Sequence, residues 1–321
     1  MDFSLSQIPL FTKLQTSQNI LIAGAGGGFD VFAGIPLYIA LKNQGKNVFL
    51  ANLSFTELAL SEGNLVSSTC WEINAQCREL DYFPEKYLCE WLNKFYNQDD
   101  SVVFAFKRTG VLTLKKAYQN LAEKLALDTI ILVDGGTDSL LFGDEETLGT
   151  PTEDSSSIVA VSELENIKHK YLLALGFGID HFHGVHHYQV LENIAKLSRT
   201  NDYLGCFSLL YNSPEGKAFS NLVEYSNSRI KWYLTSIVNN SIDSALKGFY
   251  GDYHATQKTG SSELWINPLM SIYWAFELEG IYKNLLYKDF IRNSMTMEEI
   301  RNGIENFRNI ASIKKAKNIP L

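Results

Sequence analysis

Two short stretches set carboxylates beside glycines in a way that could serve chemistry. In GGGFD, Gly26, Gly27 and Gly28 lead to Asp30; in DGGTDS, Asp134 and Asp138 bracket Gly135, Gly136 and Thr137, and Ser139 follows. Glycine tolerates positive φ and lets a ligand come close to main-chain amides. Carboxylates beside such amides can bind a cation or move protons. The two segments share a plan: an apolar run (NILIAG from Asn19, TIILV from Thr129), then Gly-Gly-x-Asp, then an apolar segment ending in Gly. Parallel strands end on one edge of a sheet, so both loops should open on the same side. That edge is where ligands of open α/β sheets sit.

The second loop resembles the SGGxDS loop of the ATP pyrophosphatases, with Asp134 in place of the first Ser. A carboxylate there repels a bare phosphate, and a divalent cation reverses the sign. The loop therefore suits Mg or Mn held by Asp134 and Asp138, or a cationic or hydroxylated substrate. Acids continue through Asp144, Glu145, Glu146, Glu153 and Asp154; Asp144 to Glu146 read equally well as a solvated face. The first loop could cradle an anion at a helix start or be a turn required only for packing. A dinucleotide fingerprint fails there: GxGxxG needs Gly where Phe29 or Val31 stands, and the next strand ends in Asn52-Leu53-Ser54 without an acid for a ribose. No NAD site is expected.

Four of the six histidines, His181, His183, His186 and His187, follow Asp180 in GFGIDHFHGVHH. A helix beginning near Gly184 would put His183 and His187 on one face, a spacing open to metal coordination or acid/base work, although HExxH is absent. The plainer reading is a set of structural histidines. GFYGDYHATQKT, with Asp252, His254, Thr256 and Thr259, could fold over the sheet edge as a lid or be an ordinary surface loop. Asn267 stands in the NPLM segment that follows.

These residues need elements to hold them. Apolar runs at Asn19–Gly24, Asn47–Leu53, Ser101–Phe106, Thr129–Val133, Tyr171–Phe177 and Leu204–Leu210 read as strands, and Ile35–Asn43, Leu114–Leu127 and Val185–Leu197 as helices. This alternation predicts an α/β fold: a Rossmann-like, mostly parallel sheet with helices on both faces. Ser226–Leu246, Pro268–Leu286 and Thr296–Ile310 read as helices, so a helical C-terminal part over about 214–321 is expected within a single α/β domain, 1–321. The aromatic run Ile272–Tyr287 is expected to be core or a homo-oligomer interface. GDEETLGTPTEDSSS, from Gly143 to Ser157, reads as one long loop ending in a helix cap.

Composition narrows the classes. The 321 residues are 45% apolar and 20% charged with a net charge of −8, which fits a folded globular chain and not a disordered or fibrous one. The acidic balance argues against nucleic-acid binding. Cys70, Cys77, Cys89 and Cys206 form no CxxC pair, so neither a zinc site nor a disulfide framework is expected. No signal peptide or membrane span is apparent, and a cytoplasmic setting is the default.

With GGGFD, VDGGTDSLLFGDE, LGTPTED, LGFGID and NPLM in place, the chain resembles domain-of-unknown-function family 1152 over nearly its whole length. The resemblance implies one α/β domain and carries no activity. The histidine stretch is less typical of the family than the Gly-Asp loops. From the residues, the leading expectation is a hydrolase or group transferase acting on a small polar metabolite. Asp30, Asp134, Asp138, His181 and His183 would be catalytic, with Asp180 orienting an imidazole. Gly26 to Gly28, Gly135, Gly136, Thr137, Ser139, Asp180, His254 and Asn267 would hold the ligand. The competing expectation is a non-catalytic nucleotide or metabolite sensor built on the same loops.

Overall fold

The computed structural model describes residues 3–96 and 100–319. Its centre is a nine-stranded sheet, with strands β1 Asn19–Gly24, β2 Asn47–Ser54, β3 Asn64–Ser67, β4 Cys70–Ile73, β5 Val103–Lys107, β6 Thr129–Asp134, β7 His169–Ala174, β8 Tyr203–Ser208 and β9 Ile272–Glu277. Their spatial order is β3-β4-β5-β2-β1-β6-β7-β9-β8. The middle five, β5-β2-β1-β6-β7, are mutually parallel, and antiparallel pairs finish both ends. The Rossmann-like α/β expectation holds.

The strands are near-continuous apolar runs because helices cover both faces. Alternation sorts their side chains. Ile20, Ile22, Ile131 and Val133 join one core with Leu37, Tyr87, Trp91 and Phe219; Leu21, Ala23, Ile130 and Leu132 join the other with Leu114, Tyr118, Ile158 and Ile194. Each fully buried Leu or Ile contributes roughly 1.5–3 kcal/mol, so two cores of this extent fix the positions of the strand ends. Among the described residues, no helix is long and apolar enough to cross a membrane.

Three expected elements differ. The helix expected over Pro268–Leu286 is a 3₁₀ turn, then β9, then a helix at Leu278–Asn284. Within β9, Tyr273 and Ala275 face one core and Phe276 the other, so the alternation of a strand wins over a helical stripe. The aromatic run is thus largely interior. Tyr273, Phe276 and Tyr287 are buried, and Trp274 packs on Phe177 and Tyr203. The helix expected over Ser226–Leu246 is broken: one helix runs Pro214–Arg229, and a second, Ile237–Leu246, starts where the Ser236 hydroxyl accepts the Asn239 N–H. The long loop from Gly143 ends early, because a helix begins at Pro151 and runs to Ser162. The hairpin β3-β4 and the helix Pro84–Tyr96 escape the sequence reading.

The chain leaves β1 toward β2 on one side, and β6 lies on the other. The carboxyl ends of β1 and β6 therefore flank the point where strand order reverses, and a crevice opens there in doubly wound sheets. Asp30 lies just beyond β1 and Asp134 is the last residue of β6.

Candidate active site

The glycine loop after β1 is shaped by what crowds it. Gly27 has φ +89°, and a Cβ there would lie 2.5 Å from the Leu53 carbonyl oxygen. Gly28 has φ +63°, and its N–H donates to that same oxygen at 3.1 Å. The buried Asn52 side chain ties the loop down from β2, donating from Nδ2 to the Gly28 carbonyl at 2.8 Å and to Glu85 Oε1 at 2.7 Å. The loop turns Asp30 back on itself, so that its Oδ2 accepts the Gly26 N–H at 2.8 Å.

The loop after β6 does the same for its own carboxylates. Asp134 accepts the Gly136 N–H at 2.7 Å and the Ser139 N–H at 3.3 Å. Asp138 opens a short 3₁₀ turn, and its Oδ2 accepts the N–H and hydroxyl of Thr150 at 2.8 and 3.0 Å. Asp180, beyond β7, accepts the Thr137 N–H at 2.6 Å. The Gly135 N–H points to Asp30.

These bonds correct the role expected of the glycine amides. Gly26, Gly28, Gly135, Gly136, Thr137 and Ser139 do not offer their N–H groups to an anion, because each is already taken by an aspartate or, for Gly28, by a carbonyl. Their work is to hold carboxylates in place. Small size matters for the same reason: a Cβ on Gly26 would meet both Asp154 oxygens at 2.7 and 2.8 Å, and one on Gly149 would meet Asp138 Oδ2 at 2.6 Å.

The result is five aspartates gathered at the crevice: Asp30, Asp134, Asp138, Asp154 and Asp180. Four are buried, and Asp30 is half-buried at the rim. Asp30, Asp134 and Asp154 form the tightest group, each offering one oxygen within 4.8 Å of the other two. Asp134 groups with Asp30 and Asp154, and Asp138, whose charge also acts on Asp134, lies beside this trio. Asp154 Oδ1 is buried with no hydrogen-bond partner. The neighbouring Arg108 pairs with Glu153 at 3.5 Å, and among the described residues no ion pair is formed by Asp154.

Electrostatics follow from that crowding. Burial, and then the charges of Asp134 and Asp138, raise the Asp30 pKa well above the ordinary carboxyl value. Burial and the charge of Asp138 push Asp134 up to about 7. Asp154 and Asp180 are raised by burial and by the other aspartates. Asp138 is raised by burial, an effect opposed by the Thr150 bonds and by the nearby His183. Like charges held this close in a low-dielectric site cannot all ionise without a counter-ion.

The other expected site residues lie elsewhere or act otherwise. His183 is exposed and ends a 3₁₀ turn, while the helix starts only at His187, so the two do not share a helical face. The glycine at 184, with φ +83°, breaks the chain between them. His181 instead packs on His187, ring centres 5.4 Å apart. Asp180 faces Gly136 and Thr137 and orients no imidazole. His254 is held within its own loop by Thr259 at 2.9 Å and Asp252 at 3.1 Å. Asn267 is a buried brace: its Oδ1 accepts the Leu269 N–H, and its Nδ2 donates to the Phe177 and Trp265 carbonyls.

Asp154 is the participant that sequence reasoning missed. The signal was Thr150-Pro151, since Pro is favoured at a first helical position. A helix starting there puts Asp154 in its first turn, where the helix dipole favours negative charge.

A family model described as "Protein of unknown function (DUF1152)" matches residues 21–313. The chain belongs to that family. No curated protein and no solved structure matches it.

Proposed function

We propose that Asp30, Asp134 and Asp154 hold a divalent cation, Mg or Mn, and that the protein uses it to hydrolyse or transfer a group on a small, polar, anionic metabolite. The observation that carries this reading is a trio of carboxylate oxygens within 4.8 Å of one another, two of the residues buried and Asp30 at the rim, with Asp154 Oδ1 lacking a hydrogen-bond partner among the described residues. An all-oxygen donor set suits hard cations rather than zinc or copper. The position agrees with the sheet, because the trio sits where the strand order reverses.

A bound cation would neutralise the cluster and polarise an oxygen of the metabolite. The chain's own residues would do the rest. The amide bonds from Gly26, Gly136 and Ser139 keep the carboxylates from rotating as the charge at the site changes. Asp138, outside the trio and with the exposed His183 nearby, is suited to receive a proton and pass it to solvent. Asp180, buried behind Gly136, holds the second loop in place through the Thr137 N–H.

Titration calorimetry with Mn²⁺ tests the reading. One site per chain is expected, lost in Asp134→Asn. Turnover should then be sought among phosphate esters and anhydrides with Mg²⁺ or Mn²⁺ present. Absence of any cation binding by the folded protein would defeat the proposal. Binding of cation and metabolite without turnover would make the protein a sensor.

A further inference from the structure

A cavity opens at the same edge of the sheet. It has a volume of about 510 Å³, and the segment Gly178–His181 forms part of its wall. Asp180, within that segment, points the other way, to the aspartate cluster. One short stretch of backbone thus separates the cavity from the candidate cation site.

The walls are aromatic with acidic edges. Trp265 stands edge-to-face on His187, ring centres 4.9 Å apart and planes at 86°. His181 and Phe182 add two more rings, both exposed to the opening. Asp252 and Glu263 supply carboxylates. His187 Nε2 is buried and has no hydrogen-bond partner. Burial and the neighbouring His181 and His186 hold the His187 pKa down at about 4, so its imidazole is neutral near pH 7. The backbone has been cleared for these rings: Gly178 has φ +98°, and a Cβ there would lie 3.0 Å from His187 Nε2 and 3.1 Å from Trp265. Asn267 secures the arrangement by tying the Trp265 and Phe177 carbonyls together.

We infer that this cavity binds a planar, amino-bearing heteroaromatic ring, a nucleobase of the adenine type, stacked against Trp265 with its amino group at the Glu263 carboxylate. Two features of the walls carry this. Aromatic faces favour a flat π-system over an aliphatic group. Carboxylates at the rim accept from an exocyclic amino group and repel a phosphate or carboxylate, which directs an anionic end of the ligand away from this cavity. The volume falls in the range of pockets that enclose small organic ligands. As a statement about substrate, the inference rests on the cation reading above: the base would occupy this cavity and the anionic part of a nucleotide would lie toward the cation.

The test separates the two readings by using a ligand with no phosphate. Adenosine is titrated into the full-length protein in EDTA, followed by calorimetry and tryptophan fluorescence. Saturable binding with quenching is expected. Glu263→Gln should weaken it about tenfold, the worth of one hydrogen bond to a charged group. Trp265→Phe should remove most of the quench while the protein stays folded. Inosine, which lacks the amino group, should bind several-fold more weakly, and Asp134→Asn should bind adenosine like the unaltered protein. Mn²⁺ binding without adenosine binding would overturn this inference and leave the cation site standing. Adenosine binding without Mn²⁺ binding would do the reverse. Adenosine affinity untouched in both Glu263→Gln and Trp265→Phe would place any nucleoside elsewhere and overturn the assignment.

Discussion

Replacing Asp154 by Asn should stabilise the protein when no divalent cation is present, and the gain should grow with pH. Oxygens of Asp154, Asp30 and Asp134 lie within 4.8 Å of one another. Two charges at that separation repel by ~3.5 kcal/mol at an effective dielectric of about 20. Burial and the charges of Asp134, Asp138 and Asp30 all disfavour the Asp154 carboxylate, so the folded chain keeps it protonated and the cost of doing so sets the ceiling. Relative to the ordinary carboxyl value of 3.8, that cost rises by ~1.36 kcal/mol per pH unit, to ~4 kcal/mol at pH 7 and under ~2 kcal/mol at pH 5. The sign is that of a carboxyl whose pKa is raised in the fold. The folded state binds the extra proton, so its stability is greatest below pH 3.8 and declines as pH rises toward the folded value. Asn has no proton to lose and escapes the decline. Its amide can also donate to the flanking carboxylates, and Asp154 Oδ1 has no bond to forfeit. Urea unfolding in EDTA, from pH 5 to 8, should show Asp154→Asn ahead by as much as ~4 kcal/mol at neutral pH, with the lead shrinking as pH falls. Added Mg²⁺ or Mn²⁺ should narrow that lead. Saturation at a hundred times Kd stabilises the unaltered protein by ~2.7 kcal/mol, and the variant should gain almost nothing. A variant less stable than the parent in EDTA at pH 8, together with equal cation responses, would refute the reasoning.

Asp138→Asn should leave the melting temperature within a few degrees of the parent and reduce turnover at least a hundredfold, a loss in the range general acid–base catalysis supplies; steady-state rates on whichever substrate is found check this. Gly26→Ala puts a methyl group 2.7 to 2.9 Å from oxygens of Asp154 and Asp30, so calorimetry should show cation affinity down at least tenfold and denaturant unfolding a loss of roughly 1–3 kcal/mol. Tyr273→Phe removes the buried bond from the Tyr273 hydroxyl to the Ala33 carbonyl, 2.5 Å long, which ties β9 to the helical turn that begins at Asp30; a loss of ~1–2 kcal/mol should appear in urea titrations, with cation affinity nearly unchanged.

The central sheet was legible because buried parallel strands are compact apolar runs ended by glycine, as NILIAG and TIILVD are. The proximity of Asp30 to Asp134 and Asp138 followed from a single inference, that two parallel strands end on one edge. β9 was hidden because IYWAFE carries apolar residues at every position but the last, a pattern that serves a strand buried on both faces as well as a helix. Asp154 was hidden by its neighbours, since GDEETLGTPTED reads as polar loop until Pro151 is taken as a helix start. The use of the glycine amides could not be read at all. Whether a main-chain N–H faces a ligand or a nearby aspartate depends on backbone geometry at Gly26, Gly135 and Gly136, and one-dimensional spacing does not encode it.

The insertion of β9 between β7 and β8 bears on how the chain matures. Leu172 pairs with Phe276, and so does Tyr203, so both neighbours wait for a segment translated long after them. While the ribosome is still producing the intervening residues, the outer edge of β7 presents unsatisfied hydrogen-bonding groups, which invites association with other chains. A polypeptide stopped short of Ile272 would have nothing to join β8 to the rest of the sheet, and should be recovered in inclusion bodies and not as a smaller working unit.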